Sequence, residues 1–185
     1  MGRYTLISRE PVLQNQWYKI YLDKLSVVGK VLEQEYFFID FFNDSVAVII
    51  ENENEEVLFV SAYRYILNKI CLEIPAGNVE QGEDLSEAGV RECLEETGYS
   101  IHLKKEHFDF YASNGVSNQK FHVLFAEVDK NSFQRGIDEE EIQKIEWIDK
   151  KKVKSMIASN KFDDGLSLTA LLLYFFNEKG SQNEN

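Results

Sequence analysis

Three glutamates near the middle of the sequence, Glu92, Glu95 and Glu96, constrain what this chain can fold into and do. The stretch from Glu83 to Thr97 has helical composition, without proline, and Gly98 follows where a helix C-cap glycine belongs. On such a helix the three carboxylates fall within an arc of roughly 100°. The sequence therefore predicts a helix with one face of closely spaced negative charge.

This carboxylate face is locally unfavourable. Like charges at i,i+4 cost about 0.2–0.5 kcal/mol per pair, and anions in the last turns of a helix oppose its dipole by about 0.3–1 kcal/mol each. Uncompensated violations of local rules are typical of functional sites. Divalent cations would offset the charge, because Mg²⁺ prefers carboxylate oxygens. The alternative is a solvated acidic face, partly neutralised by Arg91.

The residues around the three glutamates form a motif that decides between these alternatives. Gly77 is followed after five residues by Glu83, and after seven more by the string Arg-Glu-Cys-Leu-Glu-Glu-Thr-Gly-Tyr at positions 91–99. This arrangement resembles the Nudix box, and all its invariant positions match. Two looser positions differ, since Cys93 and Tyr99 stand where a bulky aliphatic residue is usual.

The resemblance implies a fold and a metal site. Interleaved strands and helices by themselves indicate an α/β or α+β protein with a mixed sheet, and the resemblance implies a Nudix-type α/β/α sandwich. It also implies Mg²⁺ as cofactor, with Mn²⁺ as an alternative, and Arg91 as the residue that orients the carboxylates. The metal ligands that it implies are Glu92, Glu95, Glu96 and the backbone carbonyl of Ala76.

Further motifs resemble one branch of that family, the ADP-ribose pyrophosphatase-like enzymes. They are Tyr63-Arg64, the string Glu-Ile-Pro-Ala-Gly at 73–77, and Gly82-Glu83. The branch implies hydrolysis of a nucleoside diphosphate sugar to a nucleoside monophosphate and a sugar phosphate. Asn114 replaces the proline of a Ser-Pro-Gly string that marks ADP-ribose preference, so GDP-mannose or another nucleotide sugar is an alternative substrate.

Substrate-binding and catalytic candidates lie outside the carboxylate helix. Arg64 is a candidate to contact a substrate phosphate or to pair with Glu73. Trp17 and Tyr18 are candidates to stack on a nucleobase, or to lie in the core. The acidic run at 138–141 is similar to the loop that supplies a catalytic glutamate in this branch. It makes Glu139 the candidate general base, with Glu141 second and Glu95 on the helix third; the alternative is a solvated acidic turn.

The chain divides into segments by pattern. Residues 1–42 alternate apolar and polar residues and predict a small antiparallel β segment, which in this branch mediates homodimerisation. Residues 43–180 are expected to form the Nudix domain, with a strand pair at 46–50 and 57–60 and closing helices near 150–158 and 166–177. Residues 181–185 are expected to be a disordered tail.

Composition excludes several classes of partner. Lys and Arg total 20 against 32 Asp and Glu, for a net charge of −12, which disfavours binding to nucleic acid or to an anionic membrane. The longest relevant apolar run, Leu168–Phe176, is too short to span a bilayer. The two cysteines are too few for a disulfide framework and favour a cytoplasmic location. A regulatory module that has kept the fold without catalysis is the rival from a different class.

Overall fold

The computed structural model describes residues 3–29, 33–132 and 142–181, and the side chains of 106 and 178–181 are not among those described. The strands are β1 Tyr4–Gln14, β2 Tyr18–Val27, β3 Glu33–Phe41, β4 Ser45–Glu51, β5 Glu56–Arg64, β6 Lys69–Glu73, β7 Ala76–Asn78, β8 Ile101–Tyr111, β9 Lys120–Val128 and β10 Ile142–Asp149. The helices are α1 Leu85–Thr97, α2 Lys150–Ala158 and α3 Gly165–Ser181.

The chain forms two compact units, and the first one is discontinuous in sequence. It comprises residues 1–44 together with residues 111–120. Its strands make a sheet in the order β1-β2-β3, with antiparallel neighbours. The segment 111–120 lies along β3, where the N–H of Ile39 donates to the carbonyl of Val116 and the N–H of Asn118 donates to the carbonyl of Ile39. Asn118 adds side-chain hydrogen bonds to the backbone of Phe41 and to Asp40.

The second unit comprises residues 45–110 and 121–185 and contains a mixed sheet in the order β10-β5-β4-β9-β8. Alternate residues of β4 point to opposite faces. Val46, Val48 and Ile50 pack with residues of α1, whereas Ala47 and Ile49 pack with residues of α2 and α3. A mixed sheet with helices on both faces confirms the expected α/β/α sandwich, and the antiparallel strands before it are also present.

The sheet is split between β4 and β5, which differs from the simple strand pair expected from the sequence. The pairing of β4 with β5 is recorded at Glu51 opposite Val57 only, next to the turn. Along its whole length, from Ser45 to Glu51, β4 pairs in parallel with β9. The chain bridges the split itself, because β6 pairs with β5 and β7 pairs with β4. Residues 74 and 75 therefore cross from one half of the sheet to the other.

Helix α1 is fixed at both ends by local sequence. Asp84 is its N-cap and accepts hydrogen bonds from the N–H groups of Ser86 and Glu87, while the N–H of Asp84 donates to the Glu87 side chain. Gly98 ends the helix in the left-handed conformation with φ 70°, which confirms the expected cap. The internal Gly89 permits close packing, since a Cβ there would lie 2.6 Å from Cδ1 of Leu124.

The third helix is longer than expected, running to Ser181. Residues 182–185 lie outside the described residues, so the predicted tail stays a prediction. Within the described ranges, no helix is long and apolar enough to cross a membrane.

Candidate active site

The structure brings the carboxylate face of α1 against the strand β7 and the turn before it. The N–H of Ala76 donates to Oε2 of Glu96 at 3.1 Å. Gly77 lies directly beneath the Glu92 carboxylate, and a Cβ atom at position 77 would collide with it. Three of the predicted metal ligands therefore lie close together: Ala76, Glu92 and Glu96. Glu95, the fourth, is 57% exposed at its side chain.

Arg91 holds this side of the helix together. Its Nε and Nη2 donate to the two carboxylate oxygens of Glu83 at 2.8 and 2.9 Å. Its Nη1 donates to Glu92 at 2.8 Å and to Glu95 at 3.2 Å, and Nη2 also reaches the carbonyl of Asn78. Arg91 therefore orients two of the predicted ligands and ties them to the loop before the helix.

Glu83 is the site residue to which the sequence analysis gave no role. It is part of the motif, and its spacing of eight residues from Arg91 was the available signal. The hydrogen bonds from Arg91, with one from the N–H of Glu80, lower the pKa of Glu83 to about 2. Glu83 consequently stays charged and keeps the guanidinium of Arg91 in place, which raises the pKa of Arg91.

Glu92 lies in a less favourable environment for a carboxylate. Its side chain is only 13% exposed, and burial raises its pKa above the ordinary value despite the hydrogen bond from Arg91. A buried carboxylate with incomplete compensation is a group that a bound cation would stabilise.

The donor set fits a hard divalent cation. Carboxylate oxygens and a backbone carbonyl are the oxygen ligands that Mg²⁺ prefers, and Gly77 leaves the room that the Glu92 carboxylate uses. Among residues 3–29, 33–132 and 142–181, no group of three or more His, Cys, Asp or Glu side chains is already arranged around a common metal position. Arg91 contacts both Glu92 and Glu95, so it holds these two predicted ligands next to each other.

The substrate-binding candidates are placed as follows. Arg64 forms two hydrogen bonds with Glu73, from Nε at 2.8 Å and from Nη2 at 2.5 Å, and Glu73 is buried. In the first unit Trp17 is 55% exposed, whereas the ring of Tyr18 packs on Phe41 with centroids 5.4 Å apart. Glu139 and Glu141 lie outside the described residues.

The first unit also contains a groove that the sequence analysis did not predict. It has a volume of about 430 Å³ and lies between β3 and the segment 111–120. Its walls include the rings of Tyr36, Phe38 and Tyr111, with the amide of Asn114 beside them. These residues are far apart in sequence, which explains why no local pattern indicated the groove.

Comparison with known proteins agrees with this architecture. The NUDIX domain family model matches residues 42–168, so the chain belongs to the Nudix family. An ADP-ribose pyrophosphatase of Bacillus subtilis (strain 168) is 26% identical over 167 residues, covering 89% of each chain. The protein is a Nudix pyrophosphatase hydrolase similar to the ADP-ribose pyrophosphatase-like branch, which confirms the resemblance found in the sequence.

Two further similarities add to this result. A methanol dehydrogenase activator of Bacillus methanolicus is 39% identical over 99 residues, which are 52% of this chain and 53% of that protein. A crystal structure of an ADP compounds hydrolase superposes with a TM-score of 0.81, covering 98% of this chain and 97% of the other at 16% identity. At that identity the superposition establishes the fold.

Proposed function

We propose that the protein is a Mg²⁺-dependent hydrolase, with Mn²⁺ as an alternative metal, that cleaves the diphosphate of ADP-ribose or a related nucleotide sugar. Water attacks one phosphorus, the bond from phosphorus to the bridging oxygen breaks, and a nucleoside monophosphate and a sugar phosphate leave. The observation that carries this proposal is the meeting of the Glu92 and Glu96 carboxylates with the backbone of Ala76 and Gly77.

The residues of this chain divide the work. The proposed ligands are Glu92, Glu95, Glu96 and the carbonyl of Ala76. Divalent cations bound there would neutralise the diphosphate and polarise the attacking water. Arg91 orients the Glu92 and Glu95 side chains through Nη1, while its remaining donors stay on Glu83 and Asn78. Arg91 thus acts through the carboxylates and needs no contact with substrate.

Glu139 is our proposed general base. The helix carboxylates are committed to Arg91, to Ala76 and to the proposed cations, so a carboxylate from outside α1 has lone pairs available for a proton.

Three residues are our proposed substrate-binding residues: Arg64, Trp17 and Tyr18. Arg64, held by two hydrogen bonds to Glu73, is proposed to present its guanidinium to a phosphate. Trp17 offers an exposed aromatic face for the base, and Tyr18 would support it. The groove lined by Tyr36, Phe38 and Tyr111 is a second aromatic surface in the same unit.

Two alternatives to this function each have one observation in their favour. GDP-mannose or another nucleotide sugar is the alternative substrate, because Asn114 stands where ADP-ribose preference is marked by proline. The similarity to a methanol dehydrogenase activator supports a regulatory role as a second candidate. Because the chain keeps every carboxylate of the Nudix box, we favour catalysis over a purely regulatory role. We propose that the enzyme is a homodimer in the cytoplasm.

A substrate panel tests the proposal. The full-length protein is incubated with ADP-ribose, GDP-mannose and other nucleotide sugars, with Mg²⁺ or Mn²⁺, and products are detected as phosphate after phosphatase treatment. We expect release of phosphate that depends on the metal and is nearly abolished in Glu96→Gln. This variant keeps an acceptor for the Ala76 N–H and relieves like-charge repulsion, so its stability should stay level or rise slightly. Wild-type turnover in Glu96→Gln at saturating Mg²⁺ would contradict the site.

A further inference from the structure

The turn that bridges the two halves of the sheet is also the turn that carries Ala76. Strand β6 ends at Glu73 and β7 begins at Ala76, so Ile74 and Pro75 lie between strands. Pro75 has no N–H, and its carbonyl accepts a hydrogen bond from the N–H of Val48 at 2.9 Å. The remaining donor of the turn is the N–H of Ile74, in a residue that is 1% exposed.

That donor is satisfied by a side chain from a distant helix. The N–H of Ile74 donates to Oγ of Ser167 at 3.0 Å, and Ser167 is fully buried in the first turn of α3. A buried N–H left without an acceptor would cost free energy. Ser167 therefore substitutes for the strand partner that the split sheet does not provide at this point.

Asp164 fixes the direction of the Ser167 hydroxyl. Oδ2 of Asp164 accepts from Oγ of Ser167 at 2.6 Å and from the Ser167 N–H at 2.7 Å. Since the hydroxyl proton is directed to a carboxylate, a lone pair of Oγ faces the Ile74 N–H, and the charge of Asp164 strengthens this acceptor. A continuous chain of hydrogen bonds thus connects Asp164, which caps α3, through Ser167 to Ile74 in the bridging turn.

Three elements consequently hold three successive residues of the turn. Helix α3 holds the N–H of Ile74, β4 holds the carbonyl of Pro75, and α1 holds the N–H of Ala76 through Glu96. We propose that Ser167, oriented by Asp164, is a positioning residue of the active site that sets the place of the Ala76 carbonyl relative to the Glu96 carboxylate. This inference rests on the proposed function, in which both groups bind the metal.

The proposal has a measurable consequence apart from catalysis. Residues that orient metal ligands typically contribute about 10–100-fold to metal affinity. Ser167→Ala removes the acceptor of the Ile74 N–H without touching a proposed ligand. We expect its affinity for Mn²⁺, measured by electron paramagnetic resonance of free Mn²⁺, to fall about tenfold. Hydrogen exchange of the peptide that contains residues 74–76 should accelerate in the same variant.

Asp149→Ala is the matched control, because Asp149 caps α2 as Asp164 caps α3. Asp149 accepts from the N–H groups of Lys151 and Lys152. This variant should lose stability while keeping wild-type Mn²⁺ affinity. If the Mn²⁺ affinity of Ser167→Ala lies within twofold of that of Asp149→Ala, Ser167 is only a structural cap. The proposal then fails, whatever the activity of the wild type.

The outcomes separate this inference from the proposed function. A tenfold loss in Ser167→Ala, in a wild type that binds Mn²⁺ through Glu96 but hydrolyses no nucleotide sugar, supports the positioning role and overturns the proposed substrate class. An active wild type with unchanged affinity in Ser167→Ala overturns the positioning role alone. If the wild type binds no Mn²⁺, or if Glu96→Gln binds Mn²⁺ as tightly as the wild type does, both the positioning role and the proposed function are overturned.

Discussion

The carboxylate of Glu92 lies over Gly77, in the space that a Cβ atom at position 77 would take. The colliding atoms are at the far end of a flexible side chain, and Gly77 is not among the glycines with positive φ. We therefore expect Gly77→Ala to fold with nearly unchanged stability but to displace the Glu92 carboxylate. Activity at subsaturating Mg²⁺ should fall by about tenfold or more.

Gly89→Ala is the informative comparison for that variant. A Cβ at position 89 would lie 2.6 Å from Cδ1 of the buried Leu124 and 3.4 Å from Cγ2 of Val48. We expect this change to lower the free energy of unfolding by about 1–3 kcal/mol, measured by urea denaturation. Gly77→Ala with undiminished activity would show that the position of Glu92 is unimportant.

Glu139 is predicted to act as the general base. Glu139→Gln should lower kcat by about 10²–10⁴ with little change in KM or Mg²⁺ affinity, because the proposed metal ligands remain intact. Steady-state kinetics of Glu139→Gln beside Glu140→Gln and Glu141→Gln would check this. A reduction below about fivefold in Glu139→Gln would move the base to Glu141 or to Glu95.

Glu51 is a largely buried, ion-paired carboxylate of the second unit, and its ionised form should stabilise the folded state. Its side chain is 15% exposed and pairs with Lys104 at 2.8 Å and with Lys150. Burial alone would raise the pKa of Glu51, but the interactions with Lys104 and Lys150 lower it below the ordinary value. A lowered pKa in the folded state gives stability that is present above the unfolded pKa and lost as the pH falls through the folded one.

We accordingly expect Glu51→Gln to be less stable than the wild type by about 1–3 kcal/mol at pH 7. The difference should shrink as the pH falls below the ordinary glutamate pKa of about 4.3 and then through the lower pKa of the folded state. Urea denaturation between pH 7 and pH 3 measures this. Glu53→Gln is the control, since its ion pair with Lys130 is exposed and should contribute little. A difference independent of pH would contradict the explanation.

Strand β1 supports the predicted homodimer. Every residue of β1 is exposed, and its large apolar side chains are Tyr4, Leu6, Ile7, Val12 and Leu13. Contiguous exposed apolar surface is typical of interfaces. We expect sedimentation at tens of micromolar protein to give a dimer, and Leu6→Lys combined with Leu13→Lys to give a monomer. Leu172→Lys, on an exposed residue of α3, should leave the dimer intact. A monomeric wild type would sink the prediction.

Local signals made α1 and its carboxylate face predictable. Gly98 marks its end, and the spacing of Glu92, Glu95 and Glu96 places them together whatever the helix packs against. The N-cap Asp84 was not predicted, and the helix begins at Leu85 instead of Glu83. Contacts across long separations in sequence could not be predicted. Ser167 reaches Ile74 over 93 residues through one hydrogen bond to a backbone N–H, and no pattern in either segment announces such a bond.

The joining of 111–120 to the first unit escaped prediction for a related reason. It depends on backbone groups of Ile39, Val116 and Asn118, and backbone hydrogen bonds place little restriction on side-chain type. The extent of β1 was similarly obscured, because irregularities between Leu6 and Ser8 and between Pro11 and Leu13 interrupt its alternation.

The discontinuity of the first unit has a consequence for dissecting the protein. In the sequence, its segment 111–120 connects β8 to β9 of the second unit. No single cut in the chain therefore separates the two units. A fragment starting at Ser45 would keep that segment but lose the backbone groups of Ile39 and Phe41 that engage it. An isolated hydrolase core would therefore need a shortened β8–β9 connection as well as a new N-terminus, and loss of activity on simple truncation would not by itself assign the first unit a catalytic role.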